Sequence, residues 1–304
     1  MKTKELNNGV AVEVLDFDIC NIDREYAEEI KKLLYKNTIV VLRNQTTKAF
    51  QFTKFTNHIG PVADRYLMNR DPHTGKVVSY DKWNMYDPET YLVQRVTAEK
   101  VDGEYSGIFS TGILDWHSNL NGPVHADGVA LQGIKDCENT STTWVNTAKA
   151  LKEMPEDLKK RCKGVYCEYD YAPDVWAKGL PKGQQLNMES KATPYSMWLL
   201  QENIAGNNGL YFYTNNRCRM ITDDKTLFSD LYDYVFQEKF MYTHVYEVGD
   251  IILSDQLLSL HKRDQNDPEI LEKRVLHRIT FYVSNQENNH WIQQNNIIGD
   301  QNGN

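Results

Sequence analysis

Thr243-His244-Val245-Tyr246-Glu247-Val248-Gly249-Asp250-Ile251-Ile252-Leu253-Ser254 reads as a strand, a Gly-Asp turn and a second strand. Asp255-Gln256-Leu257-Leu258-Ser259-Leu260-His261 follows at once and sets a histidine just past the strand pair. Working outward, strand signals recur. Residues 93–97 alternate, Asp102-Gly103 is a hairpin-turn signal, and 164–169, 209–213 and 278–283 read as further strands. Residues 38–42 (Thr-Ile-Val-Val-Leu) form a β-branched run too short for a helix, which predicts a buried strand. Val10, Val12 and Val14 fall on one face of a half-buried strand.

Helical spacing appears between these runs. Asn21-Ile22-Asp23 opens a helix with Asp23 as its cap, Glu25 in the first turn, and Tyr26, Ile30, Leu33 and Leu34 as its apolar stripe. Thr46 or Thr47 caps a second helix, where Phe52, Phe55 and Ile59 recur until Gly60-Pro61 stops it. A helical insert follows Asn146, with Pro155 at a helix start. Leu227, Phe228, Leu231, Tyr232, Val235 and Phe236 make one more helix face. Many short strands with helices to one side predict a mainly β fold with flanking helices, a β-barrel or jelly roll. No repeat or linker divides the chain. Residues 1–284 are therefore read as one domain, and the Asn/Gln-rich stretch 285–304 as a poorly ordered tail.

Composition narrows the function. The 304 residues carry 34 Lys+Arg against 42 Asp+Glu, a net charge of −8, and are 40% hydrophobic. Such a chain can bury a core, and its acidity argues against nucleic-acid and anionic-membrane partners. The five cysteines include no CxxC and read as reduced thiols of a cytoplasmic protein. Met1-Lys2-Thr3-Lys4-Glu5 has no apolar stretch behind it, so it does not read as a secretory signal, and no run is long enough to span a bilayer. Residues 64–92, punctuated by Tyr66, Trp83, Tyr86 and Tyr91, read either as a lid over a site or as a loop packed on the barrel.

Among eight histidines, two stand out by context. His117 lies in Asp115-Trp116-His117-Ser118-Asn119, and His261 ends the segment quoted above. Arg274 and Arg278 follow on the next strand. Two imidazoles and one short oxygen ligand can occupy one face of an iron ion, leaving other positions for a chelating cosubstrate and oxygen. Residues spaced i, i+2 on extended chain project to the same side, so the pair at 117 and 119 can reach one metal. An arginine one strand further on supplies a cationic fork for a carboxylate.

In this order the motifs resemble the taurine dioxygenase group of iron(II)/2-oxoglutarate-dependent oxygenases, over about Val10 to Val283. Residues 38–45, ending Arg43-Asn44-Gln45, are similar to the family's early strand ending in Arg-x-Gln, and 52–60 to the helix and Phe-Gly turn that follow. Trp116-His117-Ser118-Asn119 sits at the family's Trp-His-x-Asp, and Thr142-Thr143-Trp144 at its Thr-x-Trp. Asn207-Asn208-Gly209-Leu210-Tyr211 resembles its Gly-rich strand entry. Residues 249–261 resemble the strand pair carrying the distal histidine, and Arg274 and Arg278 match the two C-terminal arginines in spacing and order.

The resemblance implies a double-stranded β-helix, a cupin-like jelly roll. It implies that His117, Asn119 and His261 form the iron(II) site and that Thr142 and Arg274 hold the distal carboxylate of 2-oxoglutarate. Arg278 would meet a small, anionic primary substrate. The implied reaction decarboxylates 2-oxoglutarate to succinate and CO2 with O2 and hydroxylates a C–H bond. Relatives of this kind are commonly homodimers or tetramers.

Asn119 stands where the family has its metal-binding Asp, and several readings are open. The amide ligates, or leaves a water in its place. The site takes a halide and the enzyme halogenates, although Asn is bulkier than the usual replacement. The chain is an impaired ligand-binding homologue, or the Asn was engineered to trap a complex. His125-Ala126-Asp127 is itself an HxD, eight residues on, that could serve with His261, and Asp127 could approach the metal if Asn119 does not. Arg263 reads as a surface residue, and Trp116, Trp144, Tyr211 and Tyr213 as core packing.

Overall fold

The computed structural model describes residues 1–62, 87, 90, 92–107, 113–119, 126–169, 195–214, 218–263 and 267–282. His125, the tail 285–304 and the stretch 64–92 (apart from 87, 90 and 92) lie outside the described residues, as do the readings that fall on them.

Two sheets face each other. The larger is built from β1 (Thr3–Leu6), β2 (Ala11–Val14), β3 (Ile39–Leu42), β4 (Gln94–Val96), β6 (Gly128–Lys135), β9 (Ile251–Asp255) and β11 (Val275–Phe281). Its spatial order is β1-β2-β3-β9-β6-β11-β4. The smaller has four strands, β5 (Leu114–His117), β7 (Ser141–Asn146), β8 (Met241–Val245) and β10 (Ser259–Arg263), in the order β8-β7-β10-β5. All neighbours in the two sheets pair antiparallel except β2 and β3. This is the mainly β jelly roll that the strand signals predict.

The apolar run of β3 is explained by cover on both faces. Ile39 and Val41 point inward and pack with Leu131, Trp144, Tyr246, Ile252 and Leu276 between the sheets. Val40 and Leu42 point outward onto two helices, α1 (Arg24–Asn37) and α2 (Ala49–Ile59), through Ile30, Leu34, Phe52 and Phe55. The outer face of the small sheet is covered in turn. Trp116, Val145 and Leu260 pack there with Leu227, Leu231 and Val235 of a helix over Leu227–Val235.

Local chemistry sets the ends of these elements. Asp23 caps α1 by accepting the Tyr26 N–H at 3.0 Å. The buried face of α1 runs through Ala27, Ile30, Leu34 and Tyr35. It is rotated away from Tyr26, which is 50% exposed and leaves the predicted stripe. The second helix starts later than predicted, after Lys48. The Thr47 hydroxyl is taken by the Gln132 amide at 2.7 Å, and Gln51 Oε1 accepts the Lys48 N–H at 2.8 Å. At the turn between β8 and β9, Gly249 has φ 93°, and a Cβ there would meet the Gln45 backbone at 3.1 Å. Only glycine meets both conditions. None of the described helices is long and apolar enough to cross a membrane.

Candidate active site

The register of the small sheet brings the two singled-out histidines together. His261 on β10 lies directly opposite His117 on β5, with Trp144 of β7 opposite its other side. Directly opposed residues share a face. The imidazole centroids are 4.3 Å apart. Between His261 and Arg263 the pairing slips, since Arg263 is opposite Leu114. That irregularity re-aims the end of β5 beside the site, as β-bulges do.

Each imidazole is held in a ligating form. The Asp115 carbonyl lies 2.6 Å from His117 Nδ1, so Nδ1 keeps its hydrogen and Nε2 keeps its lone pair. Burial, with help from the Arg278 and Arg263 cations, lowers the His117 pKa to about 4 against the opposing pull of the Asp115 carbonyl. Burial lowers His261 well below the usual range, and His117 and Arg278 add to the shift. Both rings are neutral at pH 7, as metal binding requires.

Asn119 lies just past β5, and its surroundings fix it. Its N–H donates to Gln256 Oε1 at 2.6 Å, and the neighbouring Ser118 hydroxyl donates to the Gln256 carbonyl at 2.8 Å. Tyr213 OH donates to the Ser118 carbonyl at 2.9 Å. The amide nitrogen stands 3.0 Å from His261 Nε2. That separation is an ordinary hydrogen-bond distance. Among the described residues no three His, Cys, Asp or Glu side chains converge, so two imidazoles and an amide are what this corner offers.

The arginines come from β11 and its approach. Arg274 precedes the strand and Arg278 lies within it, and their even spacing puts both on one face. Arg278 donates from Nη1 to Asn119 Oδ1 at 2.7 Å and from Nε to Gln94 Oε1 at 2.9 Å. Arg274 is 1% exposed, and among the described residues its Nε and Nη2 have no hydrogen-bond partner. A buried guanidinium with unmet donors fits a carboxylate brought by a ligand. Thr142 is beside it in the same cleft, its hydroxyl accepting from Tyr246 OH at 3.1 Å.

His117, Asn119, Thr142, His261, Arg274 and Arg278 thus line one cleft. Its apolar wall includes Val96, Leu114, Leu131 and Leu276. Asp127 is buried but does not line it. Asp127 lies instead within electrostatic reach of Asp255 and Tyr282. Arg263 corrects a sequence expectation. It is 4% exposed and lines the cleft, not the surface, and burial together with Arg274 lowers its pKa to about 10. The signal was available, because Arg263 is two residues from His261 on an extended segment. Gln94 and Gln256 had no such signal. Trp116, Trp144, Tyr211 and Tyr213 are buried in the core, as expected.

Against known proteins, the model of the taurine catabolism dioxygenase TauD, TfdA family matches residues 2–280. The chain is 21% identical over 258 residues to the alpha-ketoglutarate-dependent 2,4-dichlorophenoxyacetate dioxygenase of a Burkholderia species, covering 83% of this chain and 84% of that protein. It is 20% identical over 292 residues to pentalenolactone F synthase of Streptomyces avermitilis, covering 89% and 90%. Among solved structures, AAD-2 in complex with Mn(II) and N-oxalylglycine matches with a TM-score of 0.67 at 15% identity, covering 93% of this chain and 97% of that one. A taurine dioxygenase from Burkholderia xenovorans matches with a TM-score of 0.67 at 15% identity, covering 92% and 88%. These two structural likenesses are likenesses of fold.

Proposed function

The chain belongs to the taurine catabolism dioxygenase TauD, TfdA family and is an iron(II)- and 2-oxoglutarate-dependent oxygenase, and from that premise we propose that it hydroxylates a C–H bond of a small anionic substrate. When bound, the iron supplies O2 activation coupled to decarboxylation of 2-oxoglutarate to succinate and CO2. In this reading His117 and His261 hold the iron through Nε2, and Asn119 stands beside them where the family has its metal-binding Asp. The Asp115 carbonyl orients the first imidazole. Arg274 binds the distal carboxylate of 2-oxoglutarate, and Thr142 stands beside it. Arg278 and Arg263 give the cleft the positive potential that an anionic substrate seeks, and Arg278 is the residue placed to meet its charged group. The apolar wall of Val96, Leu131 and Leu276 excludes water from the reacting end.

One observation carries this reading. A buried arginine with two unmet donors shares a cleft with two neutral imidazoles that face each other across one register position. No described residue answers those two donors, and a dicarboxylate ligand would. A 1–284 single domain accommodates the whole arrangement, and cytoplasmic residence and a homodimer or tetramer are the settings proposed for it.

The test is succinate release by the iron-loaded protein with 2-oxoglutarate over a panel of small carboxylates and sulfonates, aryloxyacetates first because one relative acts on such an acid. Succinate formed in step with a hydroxylated product, and lost in Arg274→Leu, is expected. No succinate above background from any member would overturn the reading. Halogenation would need an emptied third corner. Here the Asn119 amide fills it, so the product should be the same with and without chloride.

A further inference from the structure

We infer that the Asn119 amide is a latch on the ligating nitrogen of His261, a hydrogen-bond donor with which iron must compete, and not a metal ligand. The inference rests on the two-histidine site proposed above. Arg278 fixes which way the amide faces. A guanidinium donates hydrogen bonds and accepts none. Arg278 Nε is tied to Gln94 Oε1 at 2.9 Å, and its Nη1 reaches the Asn119 side chain at 2.7 Å. The atom it meets must be an acceptor, so the amide oxygen faces Arg278. Turning the amide over would press an NH2 group against the guanidinium.

The amide nitrogen is thereby turned towards His261, and donates to Nε2 at 3.0 Å. This nitrogen offers a metal no lone pair, and its hydrogens carry partial positive charge. Retreat is also restrained, because Gln256 holds the Asn119 N–H at 2.6 Å and the Ser118 hydroxyl at 2.8 Å. Asn119 is itself buried, so water cannot easily replace the lost contacts. An aspartate here would behave differently. It has two acceptor oxygens, one for Arg278 and one for the ion, and no hydrogen to place on His261. The Arg278–Asn119–His261 chain thus converts a ligand corner into a capped one. It also sets the tautomer of His261, since Nε2 must accept and Nδ1 must carry the hydrogen.

The test titrates Mn(II) anaerobically into the parent protein, Asn119→Ala, Asn119→Leu, Asn119→Asp and His261→Ala, by calorimetry. Removing the latch frees one hydrogen bond's worth of competition, so the Ala and Leu variants should bind Mn(II) about threefold to tenfold more tightly than the parent. Asn119→Asp should bind tighter still. An Asn119→Ala affinity equal to or below that of the parent, with binding still abolished by His261→Ala, would overturn the latch and leave the proposed site standing. Binding that His261→Ala does not change would overturn both. Nitrogen-15 spectra of the imidazoles give a second readout that folding defects in the variants cannot obscure. In the metal-free parent, His261 should carry its hydrogen on Nδ1, and a hydrogen on Nε2 would overturn the latch by itself.

Discussion

Two buried histidines on the small sheet have opposite surroundings. His244 on β8 is 1% exposed, and both its nitrogens are used, Nδ1 with Tyr242 OH and Nε2 with Asp250 Oδ2, each at 2.9 Å. Asp250 also accepts from Arg43 at 3.0 Å, and Arg43 reaches Glu13 at 3.4 Å. His261 on β10 is 7% exposed, and among the described residues its Nδ1 has no partner and no carboxylate lines its cleft. The first cluster takes up both imidazole nitrogens, leaves only Asp250 Oδ1 without a partner among its described atoms, and holds the β8–β9 turn. The other is left with unmet donors, lone pairs and positive charge, which is what a site awaiting an anion and a metal looks like. Burial alone therefore does not separate a structural histidine from a functional one. Whether its partners are complete does.

The sharpest way to break this contrast is Asp250→Leu. It should cost about 3–5 kcal/mol in urea unfolding, because His244 and the Arg43 guanidinium lose their shared carboxylate inside the fold. A loss under about 1 kcal/mol would mean that the network is incidental, and the contrast with it.

A second buried carboxylate tests the principle between these extremes. Asp255 ends β9, and its oxygens accept from the amide of Asn203 at 2.8 Å and the N–H of Leu257 at 2.9 Å, both neutral donors. Burial raises its pKa to about 7 from 3.8, against those hydrogen bonds. The folded state therefore binds this proton more tightly than the unfolded state. Its contribution to stability is full below pH 4 and is lost as pH rises to about 7, a loss of roughly 3–4 kcal/mol. His117 and His277 run the opposite way, since burial holds both near about 4 and their contribution grows as pH rises towards 6.5. Subtraction isolates Asp255. The stability of Asp255→Asn relative to the parent should climb between pH 5 and pH 8, and a flat difference would refute the assignment.

Much of this arrangement is legible from the chain. Thr38–Leu42 shows β3 because β-branched residues on both faces suit a covered strand, and His117, His261, Arg274 and Arg278 stand out by order. What brings them into one cleft is the pairing of β5 with β10 and of β6 with β11, which no short pattern specifies. Arg263 reads as exposed in the sequence because a charged residue after a strand histidine looks exposed until the facing sheet is in place. Gln94 and Gln256 were invisible because a glutamine takes its role from the single atom it touches. Tyr26 was misplaced by one side of a helix, a shift that spacing alone does not resolve when Ala27 is the smaller alternative.

The smallest expected effect is the most telling of the comparison, because its sign reverses. Arg274 carries the same guanidinium as Arg43, but Arg274 is 1% exposed where the Arg43 side chain is 35% exposed, and its Nε and Nη2 find no acceptor among the described residues. Burial lowers its pKa, against the milder raising effect of Tyr246 and Cys137. The fold therefore bears the cost of desolvating a cation and recovers it only when a carboxylate arrives. Arg274→Leu keeps most of the volume and removes the charge. In the ligand-free protein it should leave urea stability unchanged or raise it by about 1–3 kcal/mol, where Asp250→Leu lowers it. The same substitution should abolish the stabilisation that saturating 2-oxoglutarate gives the parent, since that gain is binding energy returned to the folded state. A stability loss above about 2 kcal/mol without ligand would make Arg274 a structural residue like Arg43, and would remove the strongest support for reading the cleft as a 2-oxoglutarate site.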